Sequence, residues 1–273
     1  MTTFADLVVA HASATPPLTW RSGLALGLTA VVAGAINSVA GGGSFLTFPA
    51  LMFCGVTPIR ANATNTVALW CGSLASVGAY RSQLGGQRRA LVTLLITSLV
   101  GGLVGALLLL RTPDATFKLL LPWLLLTATL IFIFGKHLTA ALRRMVHLDI
   151  NQPQHAGPFI VGCVLQLIIA IYGGFFGGGI GILMLALLTL LGYEDIHTMN
   201  GLKTVLASTI NGIAVIAFIL ADIVAWPQAA VMIAGSIFGG YSGAVIAQRV
   251  PAEMIRYVVM VVGIGMTIYF FVR

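Results

Sequence analysis

Hydrophobic residues dominate this chain in eight long runs that are separated by short polar stretches. The runs lie at about 22–54, 61–80, 90–110, 116–135, 157–191, 198–221, 226–247 and 252–272. A helix needs roughly 20 apolar residues to cross a bilayer, so six of the runs have the length of one span. The first and the fifth are too long. We predict that each contains a helix, a break and a short second helix, at about 44–54 and 180–191, which either finishes the crossing or re-enters.

Both long runs are interrupted by consecutive glycines, Gly41–Gly43 in the first and Gly177–Gly179 in the fifth. An unpaired backbone group in hydrocarbon costs several kcal/mol, so such a break must be buried or must line a cavity. Glycine-interrupted segments at corresponding positions of two halves are typical of a transporter's binding site. The half-helices that follow the breaks present N–H groups and partial positive charge at their N-termini, which favours an anion.

The composition indicates an all-α polytopic membrane protein. Of the 273 residues, 59% are hydrophobic and 8% are charged, and the mean hydropathy is +1.03, whereas about 25% of a soluble domain is charged. The net charge of +7 is spread over many loops, which is typical of topology signals and not of a nucleic-acid interface. The three cysteines are far apart in apolar context, so the sequence predicts neither a metal site nor a cofactor.

The longest polar stretch divides the runs into four and four. We therefore predict a first transmembrane repeat at 22–135, a polar linker at 136–156 and a second repeat at 157–272. The two glycine runs lie 136 residues apart, and Thr66 precedes Lys203 by 137. A shared spacing between the halves indicates an internal duplication. Eight crossings would make the repeats parallel, whereas an odd number in each half would make them inverted.

The distribution of Lys and Arg gives a first prediction of orientation. With eight crossings, eight of these residues collect on the side of both termini and five on the other. Because cytoplasmic loops are enriched in Lys and Arg, this count favours both termini in the cytoplasm.

Lys203 is the one charged side chain that the sequence places well inside a span. Other polar residues lie at helical spacing from it and can share its face of the helix: Asn200, Thr204, Ser208 and Asn211. Intramembrane polar residues are costly and are therefore functional candidates. Small polar groups also pack helix against helix, and a lysine also snorkels towards the interface, so both structural interpretations stay open here.

The acidic residues all fall at the ends of the runs or in loops, so no central carboxylate is available to relay protons. No histidine lies inside a span, and Gly41–Ser44 lacks the Gly-Lys-Ser/Thr of a phosphate-binding loop. We therefore expect a protein that is not an enzyme.

The first-half motif that runs from Ile36 to Leu51, with Gly55–Pro58 and Ala61–Asn65, resembles the TauE/SafE family. In the second half, Gly173–Gly181 and the stretch from Lys203 to Asn211 are similar to the corresponding motif. The resemblance covers almost the whole chain. It implies a transporter of sulfite or organosulfonates in the bacterial inner membrane. Relatives often carry a lysine where this chain has Thr66 and a glycine where it has Ser44, so a monoanion or a larger organic sulfonate is expected here.

We therefore expect a multi-pass transporter that carries a small anion by alternating access, with the bilayer as its other partner and no nucleic acid. The oligomeric state, a homo-oligomer included, is left open. The alternatives are a channel-like pore for an anion or a neutral solute and a structural membrane protein. The predicted substrate-binding residues flank the two breaks and line the polar helices: Asn37, Ser38, Gly41, Gly42, Gly43, Ser44, Asn65, Thr66, Gly177, Gly178, Gly179, Asn200, Lys203 and Asn211.

Overall fold

The computed structural model describes residues 15–39, 42–77, 88–145, 156–193, 195–246 and 252–272. In these ranges the regular structure is entirely helical. The ten helices are α1 (Trp20–Val39), α2 (Ser44–Phe53), α3 (Pro58–Val77), α4 (Arg88–Arg111), α5 (Asp114–Met145), α6 (Ala156–Phe175), α7 (Ile180–Leu190), α8 (Ile196–Leu220), α9 (Trp226–Ile246) and α10 (Ala252–Val272).

Both long runs are divided as the glycines predict. The short helices α2 and α7 begin and end within about a residue of the predicted bounds. Gly42 and Gly179 precede them with φ of 93° and 79°, in the left-handed region that glycine adopts without steric cost. One boundary differs from the prediction, because α5 continues ten residues beyond 135 into the stretch that we expected to be linker.

Three helices in the described part of the chain have the length and apolar character needed to cross a membrane. They are Leu91–Arg111, Asp114–Gly135 and Thr198–Leu220. Shorter apolar helices are found at Ser44–Phe53, Phe159–Phe175, Ile180–Leu190 and Tyr257–Val272. The helices thus have the composition of a membrane protein.

Helices α1 and α2 form a hairpin. A methyl group on Gly43, just before α2, would lie 2.5 Å from the carbonyl oxygen of Ala33, so the chain folds back along α1. Gly55, just after α2, faces Pro16, which precedes α1. The short helix therefore returns to the side from which α1 starts, and of the two predicted courses the structure has the re-entrant one.

Helices α6 and α7 form a second hairpin of the same kind. A methyl group on Gly162, near the start of α6, would lie 2.5 Å from the side chain of Leu191, just after α7. This hairpin opens on the opposite side of the molecule. Two observations indicate this. Helix α9 begins next to Pro16, where Gln228 donates to the Pro16 carbonyl at 2.8 Å. The long helix α8 connects the end of α7 to the start of α9, so the end of α7 lies on the other side.

Helix pairing follows one pattern in both halves. The α1–α9 pair corresponds to α6–α4, and the α3–α9 pair corresponds to α8–α4. Two further pairs, α3–α8 and α5–α10, each join a helix of the first half to the helix at the same place in the second half. In the first, Trp70 Nε1 donates to the carbonyl of Ser208 at 2.9 Å, and in the second the hydroxyls of Thr129 and Thr267 are 3.4 Å apart. In both contacts the two residues are 138 positions apart in sequence.

Candidate functional site

A cavity of about 120 Å³ lies between the two hairpins and the crossing of α3 and α8. Both glycine breaks border it, together with polar side chains of α3 and α8 and aromatic rings of α5 and the second break. Its walls are formed by Gly34, Asn37, Gly42, Ser44, Thr66, Leu69, Gly72, Ser73, Phe132, Phe176, Gly177, Gly179, Ile180, Gly181, Ile182, Lys203, Thr204, Ala207, Ser208 and Asn211. A buried water needs about 10–15 Å³ by this measure, so several waters or one small solute fit.

Asn37 holds the first break in shape. Its Oδ1 accepts a hydrogen bond from the backbone N–H of Gly43 at 2.8 Å, across six residues of chain. Helix α2 then begins without a side-chain cap. Its first turn borders the cavity at Ser44, so the positive end of the helix dipole lies beside this space. The N–H groups of Phe45 and Leu46 in this turn already donate to the carbonyl oxygens of Gly42 and Gly43 at 3.0 Å.

The second break is braced from inside the same hairpin. The hydroxyl of Tyr172 donates to the carbonyl oxygen of Gly178 at 2.8 Å, and the carbonyl oxygen of Tyr172 accepts from the N–H groups of Phe176 and Gly177. Gly179 then starts α7, again without a side-chain cap. Two uncapped helix N-termini therefore meet one cavity from opposite hairpins.

Thr66 and Asn211 add polar groups from the two helices that cross at the cavity. The hydroxyl of Thr66 donates to the carbonyl oxygen of Asn62 at 2.8 Å, so its lone pairs remain for other partners. Asn211 lies beside the second break, since a methyl group on Gly177 would be 4.0 Å from its Oδ1. The crossing itself is close because Gly212 packs against the Trp70 ring.

Lys203 supplies the cationic side chain of the cavity wall. Its stem lies over Gly181 of α7, where a methyl group would be 3.4 Å from the lysine Cδ. One N–H of the ammonium group donates to Asn200 Oδ1 at 3.1 Å. An ammonium group has three donors, so two remain for a ligand. Among the residues that the structure describes, no carboxylate forms an ion pair with Lys203.

The structure brings together most of the predicted site residues. Eight of the fourteen line the cavity: Asn37, Gly42, Ser44, Thr66, Gly177, Gly179, Lys203 and Asn211. Two more, Asn65 and Gly178, line a narrow void beside it. Gly43 acts through its N–H bond to Asn37, and Asn200 accepts from Lys203 without lining the cavity. Gly41 and the side chain of Ser38 lie outside the described residues.

Sequence reasoning missed the apolar part of the wall. Phe132 lines the cavity from the middle of α5. Its neighbours in the sequence are apolar, so no pattern distinguishes it from them. Ser73 and Gly72 line the cavity from α3, two turns beyond the asparagines that attracted attention. The helical spacing of Thr66 and Ser73, seven residues apart on one helix face, is a signal that could have found the second of them.

One family model and several curated proteins are similar to most of this chain. The family model described as Sulfite exporter TauE/SafE matches residues 26–270. The chain belongs to the TauE/SafE family. A protein of Haemophilus influenzae named probable membrane transporter protein is 31% identical over 237 residues, covering 86% of this chain and 89% of the relative. No solved structure matches the chain.

Two further members show the same breadth of similarity. The probable membrane transporter protein YfcA of Escherichia coli K12 is 30% identical over 248 residues, covering 87% of this chain and 85% of its own length. The probable membrane transporter protein ORF9 of a Sinorhizobium species is 28% identical over 243 residues, with 88% and 89% covered. The chain is a membrane transporter of the TauE/SafE family, in agreement with its apolar helices.

Proposed function

We propose that this TauE/SafE transporter moves a small anion, sulfite or an organosulfonate, across the bacterial inner membrane. The observation that carries the proposal is the meeting of Lys203 with two uncapped helix N-termini around one cavity. Each of these elements favours negative charge, and Lys203 keeps two N–H donors for a bound oxyanion. Asn37, Ser44, Thr66 and Asn211 would complete the hydrogen bonding.

The lining favours a singly charged substrate with an apolar part. Lys203 is the cationic side chain on the wall, and the corresponding first-half position is the neutral Thr66. Phe132, Phe176 and Ile182 supply an apolar surface to the same cavity. A monoanionic sulfonate presents three acceptor oxygens at one end and hydrocarbon at the other, which suits such a wall.

The two opposed hairpins support alternating access. Each half contributes one re-entrant hairpin and three long helices, so each half crosses the membrane an odd number of times. Two homologous halves with an odd number of crossings have inverted topology, and transporters of that kind rock one part against another around a fixed site. The Trp70–Ser208 and Thr129–Thr267 contacts would mark the two-fold axis between the repeats.

Re-entrant hairpins also reverse the first prediction of orientation. With six crossings, the linker and the termini lie on opposite sides. The termini side then carries five cations, Arg21, Arg60, Arg111, Lys118 and Arg273, and the linker side carries eight, Arg81, Arg88, Arg89, Lys136, Arg143, Arg144, Arg249 and Arg256. The positive-inside rule then places the linker in the cytoplasm and both termini outside.

Sidedness is measurable with single cysteines in a background without Cys54, Cys71 and Cys163. We expect a membrane-impermeant maleimide to label Thr19→Cys, at an exposed position before α1, in intact spheroplasts. Gln152→Cys in the linker should be labelled only after permeabilisation. Labelling of both positions from the same side would contradict inverted repeats, and the reversed pattern would contradict the orientation.

The anion itself is identified by thermal stability of the purified transporter. A ligand that binds the folded state raises Tm by mass action, and at concentrations far above Kd we expect a rise of several degrees with methanesulfonate or sulfite. Dimethyl sulfone, a neutral molecule of similar shape, is the matched control and should have no effect. Equal responses to the sulfone and the sulfonate would contradict an anion site. Saturable counterflow in proteoliposomes then separates a carrier from a pore.

A further inference from the structure

Six of the helices pack against one another through glycines that touch the backbone of a neighbour. Methyl groups on Gly34 of α1 and Gly72 of α3 would lie 2.5 and 2.8 Å from the same carbonyl oxygen, that of Ser236 on α9. Methyl groups on Gly105 and Gly102 of α4 would lie 2.1 and 3.0 Å from carbonyl oxygens of α6 and α8. Small residues at an interface let helix backbones approach this closely. One such helix cannot roll over another without a larger residue entering the contact.

Helices α5 and α10 are held by side chains instead. Gly135 of α5 faces the side chain of Ile182 on α7. Gly263 of α10 faces the ring of Phe45 on α2 and the hydroxyl of Thr129 on α5, and in both cases the nearest atoms belong to side chains. Packed helices slide past each other by small amounts in shear motions, and side chains accommodate such a shift by changing rotamer. The interfaces of α5 and α10 therefore permit a movement that the glycine interfaces resist.

Helix α5 extends across both glycine breaks. Phe132 lines the cavity, and a methyl group on Gly42 of the first break would lie 2.9 Å from its ring. A methyl group on Gly178 of the second break would lie 3.2 Å from the side chain of Ala128, one turn earlier on α5. Val259 of α10 also reaches the first break, again 2.9 Å from the added carbon of Gly42. The α5–α10 pair therefore covers the cavity from one break to the other.

We propose that the α5–α10 pair is the moving wall of the transporter. The fixed frame is formed by the six glycine-packed helices and by the short helices of their hairpins, α2 and α7. The two helices of the pair are joined to each other at two levels. The hydroxyls of Thr129 and Thr267 are 3.4 Å apart, and the rings of Trp123 and Phe271 meet edge to face with their centroids 5.1 Å apart. The pair would therefore move as one unit.

The position of the pair suits alternating access. It lies on the two-fold axis proposed between the repeats, so tilts towards the two sides of the membrane are equivalent movements. Each tilt would withdraw Phe132 from Gly42 and expose the cavity on one side. This role rests on the proposed transport of a small anion, whereas the division into a frame and a moving pair rests on the helix packing alone.

The first test is a disulfide that ties the pair to the frame, in the background without the three native cysteines. Gly135→Cys and Ile182→Cys would have their Cβ atoms 3.5 Å apart, a separation that suits a disulfide. Oxidation with copper phenanthroline is expected to abolish methanesulfonate counterflow in proteoliposomes, and dithiothreitol should restore the rate of the same protein. Loss of maleimide labelling shows that the disulfide has formed.

The matched control is Thr129→Cys with Thr267→Cys, a disulfide inside the pair. Its oxidised form should transport at the rate of its reduced form. Unchanged counterflow with the disulfide between positions 135 and 182 would overturn the proposal. Inhibition by the disulfide between positions 129 and 267 would overturn it too, because the pair would then not move as one unit.

Distances between spin labels test the movement without a substrate. Labels on Leu28→Cys of α1, Leu119→Cys of α5 and Ile168→Cys of α6 occupy exposed positions. In proteoliposomes, double electron–electron resonance should give two maxima for positions 28 and 119, and one narrow maximum for positions 28 and 168 within the frame. Equally narrow distributions for both would overturn the moving wall. Two maxima without any methanesulfonate counterflow in the wild type would support the moving wall and contradict only the anion proposal.

Discussion

Lys203→Met is expected to remove anion binding while leaving the protein folded. Methionine keeps most of the length of the stem that lies over Gly181, so packing against α7 changes little. The variant loses the positive charge and the two N–H donors that do not bond Asn200. Truncating one member of a desolvated charge pair costs about 2–5 kcal/mol, so the loss of affinity should be on the order of 30-fold or more. The measurement is the Kd for methanesulfonate.

The control for this loss is Lys118→Met, the same replacement at an exposed position near the start of α5. It lowers the net charge equally and should leave the Kd unchanged. Lys203→Arg keeps the charge but presents a wider, planar group in a space bounded by Gly181, so we expect weaker binding, roughly tenfold. Wild-type affinity in Lys203→Met would mean that amides and helix ends alone hold the anion.

The two halves contribute different charges to the cavity, and Lys203 is the residue that makes the difference. Thr66 and Lys203 both line the cavity, and in the proposed repeat they would occupy corresponding positions of α3 and α8. In an inverted repeat the two positions face one ligand from related directions, so a single substitution changes the charge of the site without changing its frame. The charge selectivity would thus be set by one residue on α3 and one on α8, whereas the glycine breaks would have the same shape in both halves.

The glycine breaks and the short helices were predictable because glycine runs and run lengths are local properties of the sequence. The direction of α2 and α7 was not. A hydropathy pattern records that a helix follows the break, but the return towards Pro16 depends on contacts between Gly43 and Ala33. That one unknown decides the number of crossings, and with the six crossings that we propose the predicted orientation is reversed.

The site residues also divide into those that a local sequence pattern could identify and those that depend on tertiary contacts. Polar residues at helical spacing identified the face of α8 that borders the cavity, and Lys203 and Asn211 lie there. Spacing alone could not separate a residue that lines the cavity from one that supports its neighbour, and Asn200 proved to accept a hydrogen bond from Lys203. Phe132 could not be predicted from the sequence, because tertiary packing brings α5 to the cavity.

Gly42→Val is expected to abolish transport while some folded protein remains in the membrane. Gly42 has a φ of 93°, which is strained for any side chain, at a cost of about 1–3 kcal/mol. A methyl group there would also lie 2.9 Å from the Phe132 ring and from the Val259 side chain, so the branched residue pushes into the wall of the cavity. The measurement is anion counterflow in proteoliposomes, normalised to the amount of folded transporter.

Gly178→Val should also abolish transport, for a narrower reason. Gly178 is not among the glycines with positive φ in the described chain, but a methyl group would lie 2.8 Å from the ring of Phe176 and 3.2 Å from Ala128. Displacing Phe176 disturbs the anion cavity and the narrow void together, because the ring lines both. Gly265→Val on α10 is the matched control, since no atom of the described residues lies within 4 Å of its added carbon, and it should transport normally. Transport at the wild-type rate in either Gly42→Val or Gly178→Val would separate that break from the substrate path.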